Sequence, residues 1–134
     1  MINETFTRMV FIGRALFVDL KIWSSAEKQY KAAQLTFDTG ASITTLPYEY
    51  FEYLGCKPII GNKNLITTAT DVVESSGFYF EKIMIGDIEI HDVKAYALKF
   101  PDESHSYGVL GLNVLRQFDI ELLFSKGLIK LKKL

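Results

Sequence analysis

Leu35-Thr36-Phe37-Asp38-Thr39-Gly40-Ala41-Ser42 carries the most information in this chain. An apolar run delivers a carboxylate, then a small hydroxyl residue, a glycine and two more small residues. Ala33 to Phe37 has the composition of a strand, and that strand ends at Asp38. Gly40, free of Cβ restraint, lets the backbone turn sharply. Ala41 and Ser42 leave room around the carboxylate. An acid presented on a rigid strand end suits catalysis better than one on a mobile loop. By itself Asp38-Thr39-Gly40 also suits an ordinary strand connection. Average composition produces the tripeptide by chance in roughly a few per cent of chains this long.

Working outward, the chain reads mainly as short strands. Met9 to Ile12 and Ala15 to Trp23 are rich in β-branched and aromatic residues, with Gly13-Arg14 as a turn between them. Ser24 to Tyr30 is a polar connection, and Ala41 to Leu46 is extended. Pro47 to Leu54 reads as a short helix, with proline at its first position and Gly55 as a left-handed cap. Gly61-Asn62-Lys63-Asn64 reads as a turn cluster. Leu65 to Thr70 and Val72 to Ile85 form two arms of a hairpin about Thr70-Asp71. Gly86-Asp87 is a second tight turn, leading to strands at Ile88 to His91 and Val93 to Leu98. After a polar loop at Lys99 to Ser106, a short helix is expected at Asn113 to Phe118, then strands at Ile120 to Phe124 and Leu128 to Leu134. The expected fold is all-β with one or two short helices, a closed barrel or folded sheet forming one domain over residues 1–134.

About seventy positions after Asp38 stands Gly108-Val109-Leu110-Gly111-Leu112-Asn113-Val114-Leu115. With Phe-Asp-Thr-Gly-Ala-Ser, the intervening hairpin and Ile85-Gly86-Asp87, this pattern resembles the retropepsin-like aspartic proteases over about Ala33 to Leu134. The resemblance implies an aspartic endopeptidase with Asp38 as the catalytic carboxylate. Thr39 would orient the loop through hydrogen bonds to a partner subunit, and Gly40 would permit its turn. Val109, Leu110 and Gly111 would lie in the strand crossing behind that loop. The hairpin would be a flap closing over substrate. Ala41, Ala69, Thr70, Asp71, Val72, Val109 and Leu110 are thereby the substrate-binding candidates. The family's flap turn usually contains glycine, and Thr70-Asp71-Val72 has none. That departure motivates an alternative, a protease-fold peptide-binding or assembly module with little or no turnover.

The chemistry requires two carboxyl groups sharing a proton. No other aspartate in the sequence is followed by Thr-Gly or Ser-Gly, and a two-lobed enzyme needs over twice 134 residues. A two-fold homodimer with one Asp38 per subunit is the economical answer. By resemblance, the C-terminal strand at Leu128-Ile129-Lys130-Leu131 and the N-terminal strands are candidate interface elements. The partners expected are a second copy of the chain and a polypeptide substrate.

Composition narrows the alternatives. The 134 residues are 49% hydrophobic and 23% charged, with 15 basic against 16 acidic side chains and a formal charge of −1. Such a balance supplies no field to hold nucleic acid or an anionic membrane. Met9 to Trp23 is interrupted by Arg14, Asp19 and Lys21, well short of the roughly 20 apolar residues of a spanning helix. The polar, acidic start (Met1-Ile2-Asn3-Glu4) is unlike a secretory signal, so a cytoplasmic setting is expected. Cys56 is the single cysteine and lacks a partner for thiol catalysis. His91 and His105 lack ligand spacing with each other or with Cys56, so no metal and no cofactor are expected. Ser42 has no G-x-S-x-G elbow around it.

Overall fold

The computed structural model describes residues 2–55, 58–67, 72–98 and 108–134, the side chains of 58–67 and 72–76 excepted. It is built almost wholly of strands: β1 (Glu4–Ile12), β2 (Ala15–Ser24), β3 (Gln29–Phe37), β4 (Thr44–Pro47), β5 (Pro58–Thr67), β6 (Val72–Ile85), β7 (Ile88–Leu98), β8 (Val109–Leu110), β9 (Phe118–Leu123) and β10 (Leu128–Lys133). Among the described residues two short α-helices interrupt them, α1 (Tyr48–Leu54) and α2 (Leu112–Leu115), with a 3₁₀ turn at Phe124–Lys126. The strand order is β5-β6-β7-β4-β8-β3-β2-β1-β10-β9, and a further β6–β2 pairing at Lys21↔Met84 folds the sheet back upon itself. This is the all-β folded sheet that the alternating apolar runs predict.

Strand alternation explains the core. Val18, Leu20 and Ile22 of β2 point to one face and pack with Ala33 and Leu35 of β3, Phe80 and Ile83 of β6, and Leu110 of β8. The helix α1 adds Phe51, whose ring stacks on Phe78 at a centroid distance of 3.8 Å and on Phe80 at 5.7 Å. Gly55 closes that helix in the left-handed conformation (φ 63°), as the sequence predicts. Pro47 sits one position earlier than predicted: it ends β4 with extended ψ of 145° and serves as the N-cap.

Several boundaries differ. β1 begins at Glu4, five residues before the apolar run, because Glu4 to Arg8 pairs with β10 in the register Glu4↔Lys132 to Arg8↔Leu128. β3 starts at Gln29, inside the expected polar connection, and pairs with β2 as far as Ser24↔Gln29. Gly61 to Asn64 is no turn: β5 runs through it, with a register shift between Pro58 and Lys63 absorbing the irregular residues. β7 is one strand rather than two, with Asp92 accommodated at φ 54°. The hairpin is present, with Thr67 paired to Val72. Its expected apex residues Ala69, Thr70 and Asp71 lie outside the described residues, as do Cys56 and His105. No helix among the described residues is long and apolar enough to cross a membrane.

Candidate active site

Asp38 leaves the end of β3, where β8 is inserted. β8 pairs in parallel with β3 (Thr36↔Val109, Phe37↔Leu110) and antiparallel with β4 (Thr45↔Val109). The loop between β3 and β4 is therefore strapped from behind by the Gly-Val-Leu-Gly segment. Thr36 N–H donates to the Gly108 carbonyl at 3.0 Å and Asp38 N–H to the Leu110 carbonyl at 3.3 Å. On the far side of the loop, Leu112 N–H donates to the Ala41 carbonyl at 2.8 Å and Asn113 N–H to the Ser42 carbonyl at 3.1 Å. Two short segments distant in sequence thus fix the loop at both ends.

Both glycines of that strap are required by closeness of backbones. A Cβ on Gly111 would stand 2.6 Å from the Ile43 carbonyl carbon, and one on Gly108 (φ +85°) would stand 2.6 Å from the Thr45 oxygen. Gly40 has a different reason from the one its sequence position suggests. It holds no left-handed backbone; its N–H donates to Asp38 Oδ1 at 2.8 Å, and a Cβ there would lie 3.1 Å from the same oxygen. Glycine at this position lets a backbone dipole approach and orient the carboxylate.

A residue not singled out by the sequence completes the support. Asn113 Oδ1 accepts from Thr44 N–H at 2.9 Å and from the Thr44 hydroxyl at 2.8 Å, while its Nδ2 donates to the Lys94 carbonyl at 2.8 Å. The Thr44 oxygen in turn accepts from Gly111 N–H at 3.1 Å. One amide therefore ties α2, β4, β7 and the strap together around a threonine that is 1% exposed. Its sequence neighbours carry no signal of this role, because the partners Thr44 and Lys94 lie 69 and 19 positions away.

The predicted site residues separate into three groups. Asp38, Thr39, Gly40 and Ala41 lie together on one loop, with Thr39 and Gly40 exposed and Asp38 half-buried. Val109 is half-buried behind that loop, whereas Leu110 is 1% exposed within the core. Leu110, proposed as a substrate contact, packs in the core and holds the loop from within. Val72 lies at the start of β6, next to the hairpin's end, and the remaining candidates fall outside the described residues.

A cleft of about 660 Å³ is lined by residues outside the Asp38 loop, among them Thr7, Asp19, Lys21, Gln34, Tyr50 and Met84. Among the described residues no group of three or more His, Cys, Asp or Glu side chains is gathered as metal donors. What the loop offers chemically is one carboxylate, fixed in orientation and open to solvent on its outer side.

Comparison with known proteins agrees with this geometry. A family model described as gag-polyprotein putative aspartyl protease matches residues 25–117, from the β2–β3 turn to just beyond α2. Among solved structures, the crystal structure of a retropepsin-like aspartic protease from Rickettsia conorii superposes with a TM-score of 0.63. That match has 17% sequence identity and covers 97% of this chain and 90% of that one. No curated protein matches in sequence.

Proposed function

Because the chain belongs to the gag-polyprotein putative aspartyl protease family and has the retropepsin-like fold, we propose that it is an aspartic endopeptidase completed by a second copy of itself. The whole chain, 1–134, acts as one protease domain. The observation that carries this reading is the half-buried Asp38, oriented by Gly40 N–H and strapped from behind by Val109 and Leu110.

Two such loops related by a two-fold axis bring their Asp38 carboxyls together. Like charges about 3 Å apart do not both ionise easily, so in the reacting pair one carboxyl keeps its proton while the other is ionised. The ionised carboxylate takes a proton from water as its oxygen attacks the peptide carbonyl carbon. The protonated carboxyl donates a hydrogen bond to the carbonyl oxygen and stabilises the charge that develops there. Collapse of the tetrahedral intermediate breaks the C–N bond as the proton passes to the leaving amine. General acid–base help of this kind contributes about 10²–10⁴-fold. The exposed Thr39 hydroxyl is free to bond the partner's loop. The β5–β6 hairpin acts as a flap, with the substrate pairing extended beneath it.

The test is incubation of the chain and its Asp38→Asn variant with a diverse peptide mixture at pH 4–7. Cleavage by the native chain alone supports the proposal. Equal cleavage by both variants overturns it, and peptide capture without product favours a binding module instead.

A further inference from the structure

The site described above is half of a dyad, so the surface around Asp38 has to meet its own copy. The register shows what that surface is. Met9 pairs with Val18, and Val18 with Leu35, giving a row across three strands whose β2 and β3 members are buried. One row further on, Phe11 pairs with Leu16, and one step beyond the Phe17↔Thr36 pair lies Phe37, immediately before Asp38. This second row lies on the same face of the sheet as the core, yet it runs out into solvent. Phe37 and Leu16 are half-buried, whereas Phe11 is 57% exposed. Phe124, from the turn between β9 and β10, stacks on Phe11 at 6.5 Å and is 64% exposed. On the loop's other flank, Leu112 is 37% exposed while its N–H bonds the Ala41 carbonyl.

We propose that the Phe11–Phe124 ledge, continuous with Leu16 and Phe37, is the seat on which a second copy of this chain docks. The inference rests on the two-chain reading of the site and specifies where the chains touch. An axis that brings two Asp38 carboxyls to about 3 Å sets the adjoining surfaces face to face. Paired exposed phenylalanines are an unusual surface for a solitary soluble protein. The other strands fit the role poorly. β10, a candidate from the sequence, has both edges taken within the chain, by β1 and β9. β9 has a free edge at the end of the sheet, but Asp119 and Glu121 are exposed along it. A symmetric antiparallel pairing there centred on Ile120 or Glu121 sets acid opposite acid.

The experiment is sedimentation equilibrium in an Asp38→Asn background, which prevents self-cleavage, with and without Phe11→Glu and Phe124→Glu together. The double glutamate substitution is expected to weaken dimerisation more than about tenfold, as loss of apolar anchors does. Tyr79→Glu, at a 55% exposed aromatic on β6, is expected to leave it unchanged. Unaltered association in the double variant overturns the seat. If the native chain still cleaves peptides while Asp38→Asn does not, the dyad proposal stands without it. A parent chain that is monomeric at all concentrations overturns both. Should the double variant fail to fold, hydrogen exchange of the parent at low and high concentration decides the matter. Protection at 9–16 and 123–127 on association supports the seat, and protection confined to other segments refutes it.

Discussion

Replacing Asn113 by alanine tests whether the candidate site is held by one amide. The change deletes three hydrogen bonds of 2.8 to 2.9 Å, two from Thr44 and one to the Lys94 carbonyl. Each contributes about 1 kcal/mol net, and a buried donor left without an acceptor costs about 1–3 kcal/mol. Thr44, at 1% exposure, has little access to water as a substitute. Allowing for non-additivity among bonds that share one acceptor, the expected loss is about 2–4 kcal/mol. For a chain of this size that lowers Tm by about 8–15 °C. The measurement is urea unfolding in an Asp38→Asn background at fixed protein concentration, since association shifts apparent stability. Thr44→Val completes a double-mutant cycle. The double variant is expected to be less destabilised than the sum of the singles by about 1 kcal/mol or more. A loss below about 1 kcal/mol, or a fully additive cycle, refutes the claim that Asn113 organises the loop through Thr44.

Gly40→Ala places a Cβ 3.1 Å from a carboxylate able to shift, so stability is expected to change by less than about 1 kcal/mol. Peptide hydrolysis is expected to fall about 10–100-fold as the carboxylate is displaced, read from kcat/KM. Gly111→Ala sets its Cβ against backbone that has no room to yield, and urea unfolding is expected to show a loss of about 3 kcal/mol or more. Burial, reinforced by the Tyr30 hydroxyl donating to Glu89 at 2.7 Å, holds the Tyr30 phenol above its ordinary pKa. A raised pKa stabilises the fold below about pH 10, where the unfolded phenol is still neutral. That contribution declines as pH climbs above this value, so the denaturation midpoint of the native chain is expected to drop more steeply there than that of Tyr30→Phe.

Much of the fold was legible because period-two alternation marks strands whose faces differ. β2, with Val18, Leu20 and Ile22 inward, is the clearest instance. Asp38-Thr39-Gly40 and Gly108-Val109-Leu110-Gly111 were legible as a pair through the family pattern they share; Gly108 and Gly111 stand where backbones crowd, and Gly40 stands against the Asp38 carboxylate. Glu4 to Arg8 was hidden because its inward residues, Thr5 and Thr7, are buried yet polar. Thr5 exchanges hydrogen bonds with Asp87, and the Thr7 hydroxyl donates to the Asp19 carbonyl. Gly61 to Asn64 misled for the opposite reason: turn-forming residues can also be carried by a register shift in a long hairpin. Asn113 escaped notice because its value comes entirely from Thr44 and Lys94, which the topology alone brings beside it.

Lys133 N–H donates to the Asn3 carbonyl at 2.6 Å. The first and last strands are therefore neighbours: β1 pairs with β2 through Met9 to Ile12, but its Glu4 to Arg8 half finds a partner only once β10 has been made. Nearly every other pairing precedes that clasp in sequence, so ring closure is a long-range event and a slow one in folding. The same adjacency means that anything joined before residue 3 or after residue 133 departs from one corner of the molecule. A short peptide bridging those ends, with new termini opened at the Gly13-Arg14 turn, is a natural circular permutant of this protease fold.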